Sequence, residues 1–161
     1  MIVAFDASVL VYLFDGKANA PIDPATGAPV SDCKDRLDFL IATLQRDKAK
    51  IIIPTPALAE LLVRAGAAGP DWLTIVNRSR YFRIMGFDVR AAVEFAATQA
   101  ARKAAGEKTE GANRAKAKFD DQIVAIAAIE RATVSYSDDR HIKQLAGKRF
   151  AVIGVAELPL P

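Results

Sequence analysis

Apolar and polar positions along the chain fall into short, wholly apolar runs that alternate with longer stretches of helical spacing. Met1 to Phe5 reads as a strand, Ala7 to Phe14 as a short helix, and Gly16 to Pro29 as a surface loop rich in turn formers. Asp32 to Asp47 puts Leu37, Leu40, Ile41 and Leu44 on one helical stripe, and Lys50 to Ile53 reads as a buried strand. Thr55-Pro56 offers an N-cap followed by proline at the first helical position, which predicts a helix to about Arg64. After a break from Gly66 to Pro70, Asp71 to Asn77 reads as helix and Tyr81 to Met85 as strand, and Asp88 caps a helix to about Lys103. Ala104 to Ala115 is polar and glycine-punctuated, and Phe119 to Arg131 is an apolar helix with acids in its first turn. Val134 to Tyr136 and Phe150 to Ile153, joined through Asp138 to Leu145, are the last strands. This alternation predicts an α/β fold, a three-layer α/β/α sandwich around a central, mostly parallel five-stranded sheet, with residues 1–161 forming one domain.

Composition narrows the chemistry. At 161 residues and 52% hydrophobic content the chain has ample material for a core, and its longest stretch free of charged residues, Ile51 to Ala59, is too short to span a membrane. Met1 to Phe5 lacks a positive flank and runs into Asp6, so no signal peptide is expected and the protein is predicted to be cytoplasmic. One Cys and one His exclude an internal disulfide and a four-ligand zinc site of the usual kind. Cys33 and His141 are the sole candidates for a thiol protease pair, and Cys33 stands in the polar stretch Ser31 to Asp35 without a glycine-framed nucleophile turn. Hydrolytic chemistry here therefore rests on carboxylates, hydroxyls or a hard metal ion.

In an open parallel sheet, ligands bind beyond the carboxyl ends of the strands, near the point where strand order reverses. Asp6 directly follows the first strand, Glu60 lies in the helix after the second, and Ser137-Asp138-Asp139 follows Val134 to Tyr136, whereas Asp120 opens a helix. Two carboxylates ~4 Å apart repel by about 4 kcal/mol at an effective dielectric constant near 20, and a divalent cation relieves that repulsion. Each acid also has an ordinary explanation. Glu60 can pair with Arg64 one turn later, Asp120 and Asp121 can complement a helix N-terminus, Asp6 can cap the helix from Ala7, and Ser137 can cap a helix with Asp138 and Asp139 in its first turn.

Four segments in order carry a resemblance. Asp6-Ala7-Ser8-Val9-Leu10, Pro56-Ala57-Leu58-Ala59-Glu60-Leu61, Asp120-Asp121-Gln122-Ile123-Val124-Ala125-Ile126-Ala127 and Ser137-Asp138-Asp139 are similar to the motifs of PIN domains. The chain resembles a PIN-domain ribonuclease from its first strand to its last, and within that family the VapC-type toxins, small Mg²⁺-dependent ribonucleases held inactive by a cognate antitoxin. The resemblance implies four metal-binding catalytic acids: Asp6, Glu60, Asp120 and Asp139. Asp120 is matched through Ile123, Ala125 and Ala127, a spacing that Asp121 fits worse. Ser137 stands for the family's usual Thr, Asp138 competes with Asp139 for the fourth acid, and Ser8 matches a hydroxyl that orients water. It further implies Mg²⁺ or Mn²⁺ as cofactor, RNA as substrate, an antitoxin partner and a homodimer.

Charge supports a polyanionic partner without proving one. Arg102, Lys103, Lys108, Arg114, Lys116 and Lys118 oppose Glu107 and Glu110 in one segment, and they are the expected nucleic-acid contacts, with Arg78, Arg80 and Arg83 in support. The plain alternative is a solvated helix end and loop. Tyr12, Phe14, Trp72, Tyr81 and Phe82 are expected in the core rather than as base-stacking platforms, and Trp72 with Leu73, Ile75 and Val76 offers either an apolar partner face or more core. Two rival functions are a non-catalytic PIN-like RNA- or protein-binding module and an acid-pocket phosphatase of haloacid-dehalogenase type. The second normally carries another acid two residues after the first aspartate, where this chain has Ser8.

Overall fold

A computed structural model describes residues 1–107 and 114–161, so Lys108 and the side chain of Arg114 lie outside the described residues. Five strands form one sheet: β1 (Ile2–Phe5), β2 (Lys50–Pro54), β3 (Phe82–Met85), β4 (Val134–Tyr136) and β5 (Ala151–Ile153). Their order is β3-β2-β1-β4-β5, and every pairing is parallel. Among the described residues the helices are α1 (Ala7–Phe14), α2 (Cys33–Arg46), α3 (Thr55–Ala65), α4 (Gly69–Arg78), α5 (Val89–Ala104), α6 (Arg114–Ile129) and α7 (Arg140–Ala146). None is long and apolar enough to cross a membrane.

The strand sequences explain their places in the sheet. Central parallel strands are covered on both faces, and β1 and β2 accordingly bury Val3, Ala4, Phe5 and Ile51, Ile52, Ile53 without alternation, whereas the edge strand β3 is only half-buried. Phe5 is fully buried and meets the rings of Phe82 and Tyr136 edge-on at centroid distances of 6.4 and 5.4 Å, tying together both halves of the sheet. Leu10, Leu37, Leu44, Leu61, Ile123 and Ile142 bring the helices onto the same core. The chain moves outward from β1 to β2 and β3, then returns to the other side of β1 for β4, so strand order reverses between β1 and β4.

Helix boundaries differ from the sequence expectation at several points. Helix α6 begins at Arg114, not Phe119, because Ala115 and Ala117 are strong helix formers inside a stretch whose polarity suggested loop. Asp120 and Asp121 thus lie beyond the first turn and do not complement that helix end. Thr55 is the first helical residue behind Pro54 and its side chain caps nothing. The break after α3 is a short 3-10 turn, Gly66–Ala68, entered through Gly66 at φ +53, a conformation that glycine adopts without strain.

Candidate metal centre

Register carries the first acid to the switch point. Phe5 pairs with Tyr136 and Tyr136 with Ile153, so the next row contains Asp6, Ser137 and Gly154, extended by Asp6 N–H to the Tyr136 carbonyl (3.1 Å) and Ser137 N–H to the Ile153 carbonyl (3.0 Å). Asp6 occupies the N-cap position of α1, yet its side chain does not cap it. Its Oδ2 accepts from Ser137 Oγ at 2.8 Å and from Ser8 Oγ at 3.0 Å. Each serine is held in turn: Ser137 Oγ accepts from the Asp139 N–H (3.0 Å) and Ser8 Oγ from the Asp138 N–H (3.1 Å). Burial raises the Asp6 pKa above the ordinary aspartate value, and the two serine hydrogen bonds offset only part of that effect.

The charges of Asp6, Asp120 and Asp139 all act on Glu60. Asp120 is buried on α6, and Asp139 is the N-cap of α7, where its Oδ1 accepts from the His141 N–H at 2.7 Å. Lys116, one turn before Asp120, places Nζ 3.6 Å from Asp120 Oδ2 and hydrogen-bonds Asp139 Oδ2. His141 Nδ1 lies 2.9 Å from the same Asp120 oxygen. Desolvation pushes Asp139 up, but the Lys116 ammonium and the His141 N–H outweigh it and hold its carboxyl below the ordinary value. Glu60 projects from α3 without Arg64, which instead reaches Asp15 at the C-terminal end of α1 (3.0 Å). Desolvation, followed by the charges of Asp6 and Asp120, raises the Glu60 pKa; Lys116 partly offsets this and Asp139 adds to it.

Asp138 and Asp121 point elsewhere. Asp138 Oδ1 accepts from the Val155 N–H at 2.8 Å, and burial raises its pKa, with Oδ2 finding no partner among the described residues. Asp138 thereby ties β4 to the segment after β5. A Cβ on Gly154 would stand 2.8 Å from Asp138 Oδ1. Gly154→Ala is expected to lower stability by about 1–3 kcal/mol, the usual effect of overpacking, read as a lower urea midpoint. Asp121 is buried against α5, accepting from Gln99 Nε2 (2.7 Å) and Arg102 (3.0 Å).

Arg102 also pairs with Glu107, so both its partners are acids of this chain, while Lys103 and Lys118 are exposed. Arg78 and Arg80 precede β3 and lie toward the sheet end opposite the acids. The five aromatics named above all pack on the core, and Val76 is buried rather than part of an exposed face. Burial, followed by the Asp138 charge, pushes the Cys33 thiol up and away from nucleophilic use, and the one imidazole is committed to Asp120. Two features escaped sequence reasoning. His141 lies 21 positions from Asp120, and Lys116, read as a phosphate contact, faces the acids.

The four carboxylates offer the oxygen atoms a hard divalent cation prefers; desolvation, then mutual repulsion, raises Glu60, and an ammonium group is paired with two of them. Among the described residues, no three His, Cys, Asp or Glu side chains stand close enough to hold one ion as they are placed. The Lys116 ammonium contacts both Asp120 and Asp139.

Likeness to known proteins lies in the fold. No protein-family model matches the sequence, and no curated protein sequence does. Among solved structures, the chain is similar to VapBC2 from Rickettsia felis bound to a DNA fragment from their promoter, with a TM-score of 0.65 and 15% identity over 96% of this chain and 98% of that one. It is similar also to FitAcB from Neisseria gonorrhoeae, with a TM-score of 0.64 and 18% identity over 98% of this chain and 100% of that one. DNA-bound VapBC from Salmonella typhimurium follows at a TM-score of 0.62 and 12% identity, over 96% and 98%.

Proposed function

We propose that this chain is a metal-dependent endoribonuclease built as a PIN-like α/β/α sandwich and acting as the toxin of a toxin-antitoxin pair. The observation that carries the reading is that Asp6, Glu60, Asp120 and Asp139, from four separate stretches, share one electrostatic neighbourhood at the sheet's switch point. The VapBC and FitAcB folds support it, since the sequence motifs resemble those of VapC-type toxins. The four acids would hold Mg²⁺ or Mn²⁺, which when bound polarises phosphoryl oxygens and lowers the pKa of water. Ser8 and Ser137 fix the Asp6 carboxylate, and His141 fixes Asp120. Exposed Lys103 and Lys118 would meet RNA phosphates. A cognate antitoxin and a homodimer belong to the same reading. A groove of about 430 Å³ lined by Leu13, Phe14, Ile41, Trp72, Ile75 and Phe82 offers an apolar partner surface.

The test is direct. Purified protein incubated with end-labelled single-stranded RNA should give internal cleavage fragments with Mg²⁺ or Mn²⁺, none with EDTA, and fragments again on excess metal. Intact RNA under both ions would remove the nuclease reading. A second reading, a non-catalytic PIN-like binding module, is favoured by the Lys116 ammonium among the acids and by the lack of a ready-made three-ligand group among the described residues. RNA retained in a gel shift but never cut would select it.

A further inference from the structure

We infer that Lys116 is a tethered counter-ion that holds the place of a divalent cation between Asp120 and Asp139 and is displaced when that cation binds, an inference that rests on the metal-centre reading above. The geometry is specific. Lys116 and Asp120 are one turn apart on α6, whereas Asp139 arrives from the start of α7, so the ammonium bridges two acids that the sequence separates. Its charge also acts on Asp6 and Glu60, and so it serves all four carboxylates. The Lys116 side chain remains 55% exposed and has four rotatable bonds, so it can turn into solvent without disturbing the core. A metal ion neutralises the same oxygens with two charges instead of one and repels the ammonium it replaces. Metal affinity in this protein is then a competition against one of its own side chains.

A purely structural bridge predicts something different. Removing such a bridge would loosen Asp139 and leave metal affinity unchanged or weaker, whereas removing a competitor strengthens it. Titration calorimetry with MnCl₂ on the intact wild type, Lys116→Met, Lys116→Arg and Asp120→Asn separates the two, alongside melting curves without metal. The expected result is Mn²⁺ binding to Lys116→Met about twofold to fivefold tighter than to wild type, the range set by the modest net strength of a half-exposed ion pair. Lys116→Arg should return towards wild-type affinity, and Asp120→Asn should lose binding. Wild-type binding with equal or weaker binding by a folded Lys116→Met overturns the counter-ion and leaves the metal centre standing. Failure of both wild type and Lys116→Met to bind Mn²⁺ overturns the metal-centre reading, and the counter-ion with it.

Discussion

Asp6→Asn is expected to lower metal-dependent RNA cleavage on the order of 10²- to 10³-fold, the scale on which removal of one electrostatic contact to a transition state is felt. The protein should stay folded, for a reason visible in the site. Asp6 is buried, and burial raises its pKa, so folding disfavours its ionised form relative to the unfolded chain. The sign of the pH dependence follows. With a folded pKa above the unfolded one, the contribution of Asp6 to wild-type stability is lost as pH rises through that raised value. The neutral amide escapes this loss. Without metal, Asp6→Asn should therefore melt at or above the wild-type temperature at neutral pH, and the difference should shrink on acidification. Addition of Mn²⁺ should raise the wild-type melting temperature and leave the variant's unchanged. Full cleavage by the folded variant would remove Asp6 from the reaction.

The second large effect concerns stability. Phe5→Ala is expected to cost about 3–5 kcal/mol, the range for deleting a large buried aromatic and leaving a cavity. Phe5 has no exposed surface, and its ring fills the space between Phe82 on one side of the sheet and Tyr136 on the other. For a chain of this length each kilocalorie shifts the melting temperature by about 2–4 °C, so the variant should melt on the order of 10 °C lower. Phe5 ends β1 and immediately precedes Asp6, so folded Phe5→Ala protein should cleave RNA less well than its folded fraction accounts for. A loss under about 1 kcal/mol in urea titration would mean that the neighbouring rings close the gap.

Strand positions were legible because each is an apolar run bounded by polar residues, and β4 matches its expected limits while β1, β2, β3 and β5 differ by a residue. Asp6 could be picked out because a residue that follows a parallel strand stands at the ligand-binding edge of such sheets, whereas Ser8 came only from the resemblance to the family motif. The choice between Glu60 as a helix ion pair and Glu60 as a free acid was not legible, because Arg64 satisfies itself with Asp15, 49 positions earlier. Asp138 and Asp139 are adjacent in the chain, and what separates their roles is direction: Asp139 caps α7 and faces Lys116, and Asp138 turns to the Val155 N–H. Charge along the basic segment did not reveal which groups pair internally. Its arginine at position 102 is spent on Asp121 and Glu107, and its lysine at position 116 on two acids.

By itself the sequence determined the succession of strands and helices, the apolar faces they bury and the acids that follow the strands, since these depend on local periodicity and capping. Only the tertiary structure decided that β1 lies between β2 and β4, and therefore that Asp6 sits at the reversal point beside Ser137. It alone decided which charges neutralise one another. Local pattern fixes which way a side chain leaves its own helix or strand, but its partner comes from whatever segment long-range packing brings opposite, and no spacing along the chain encodes that distance.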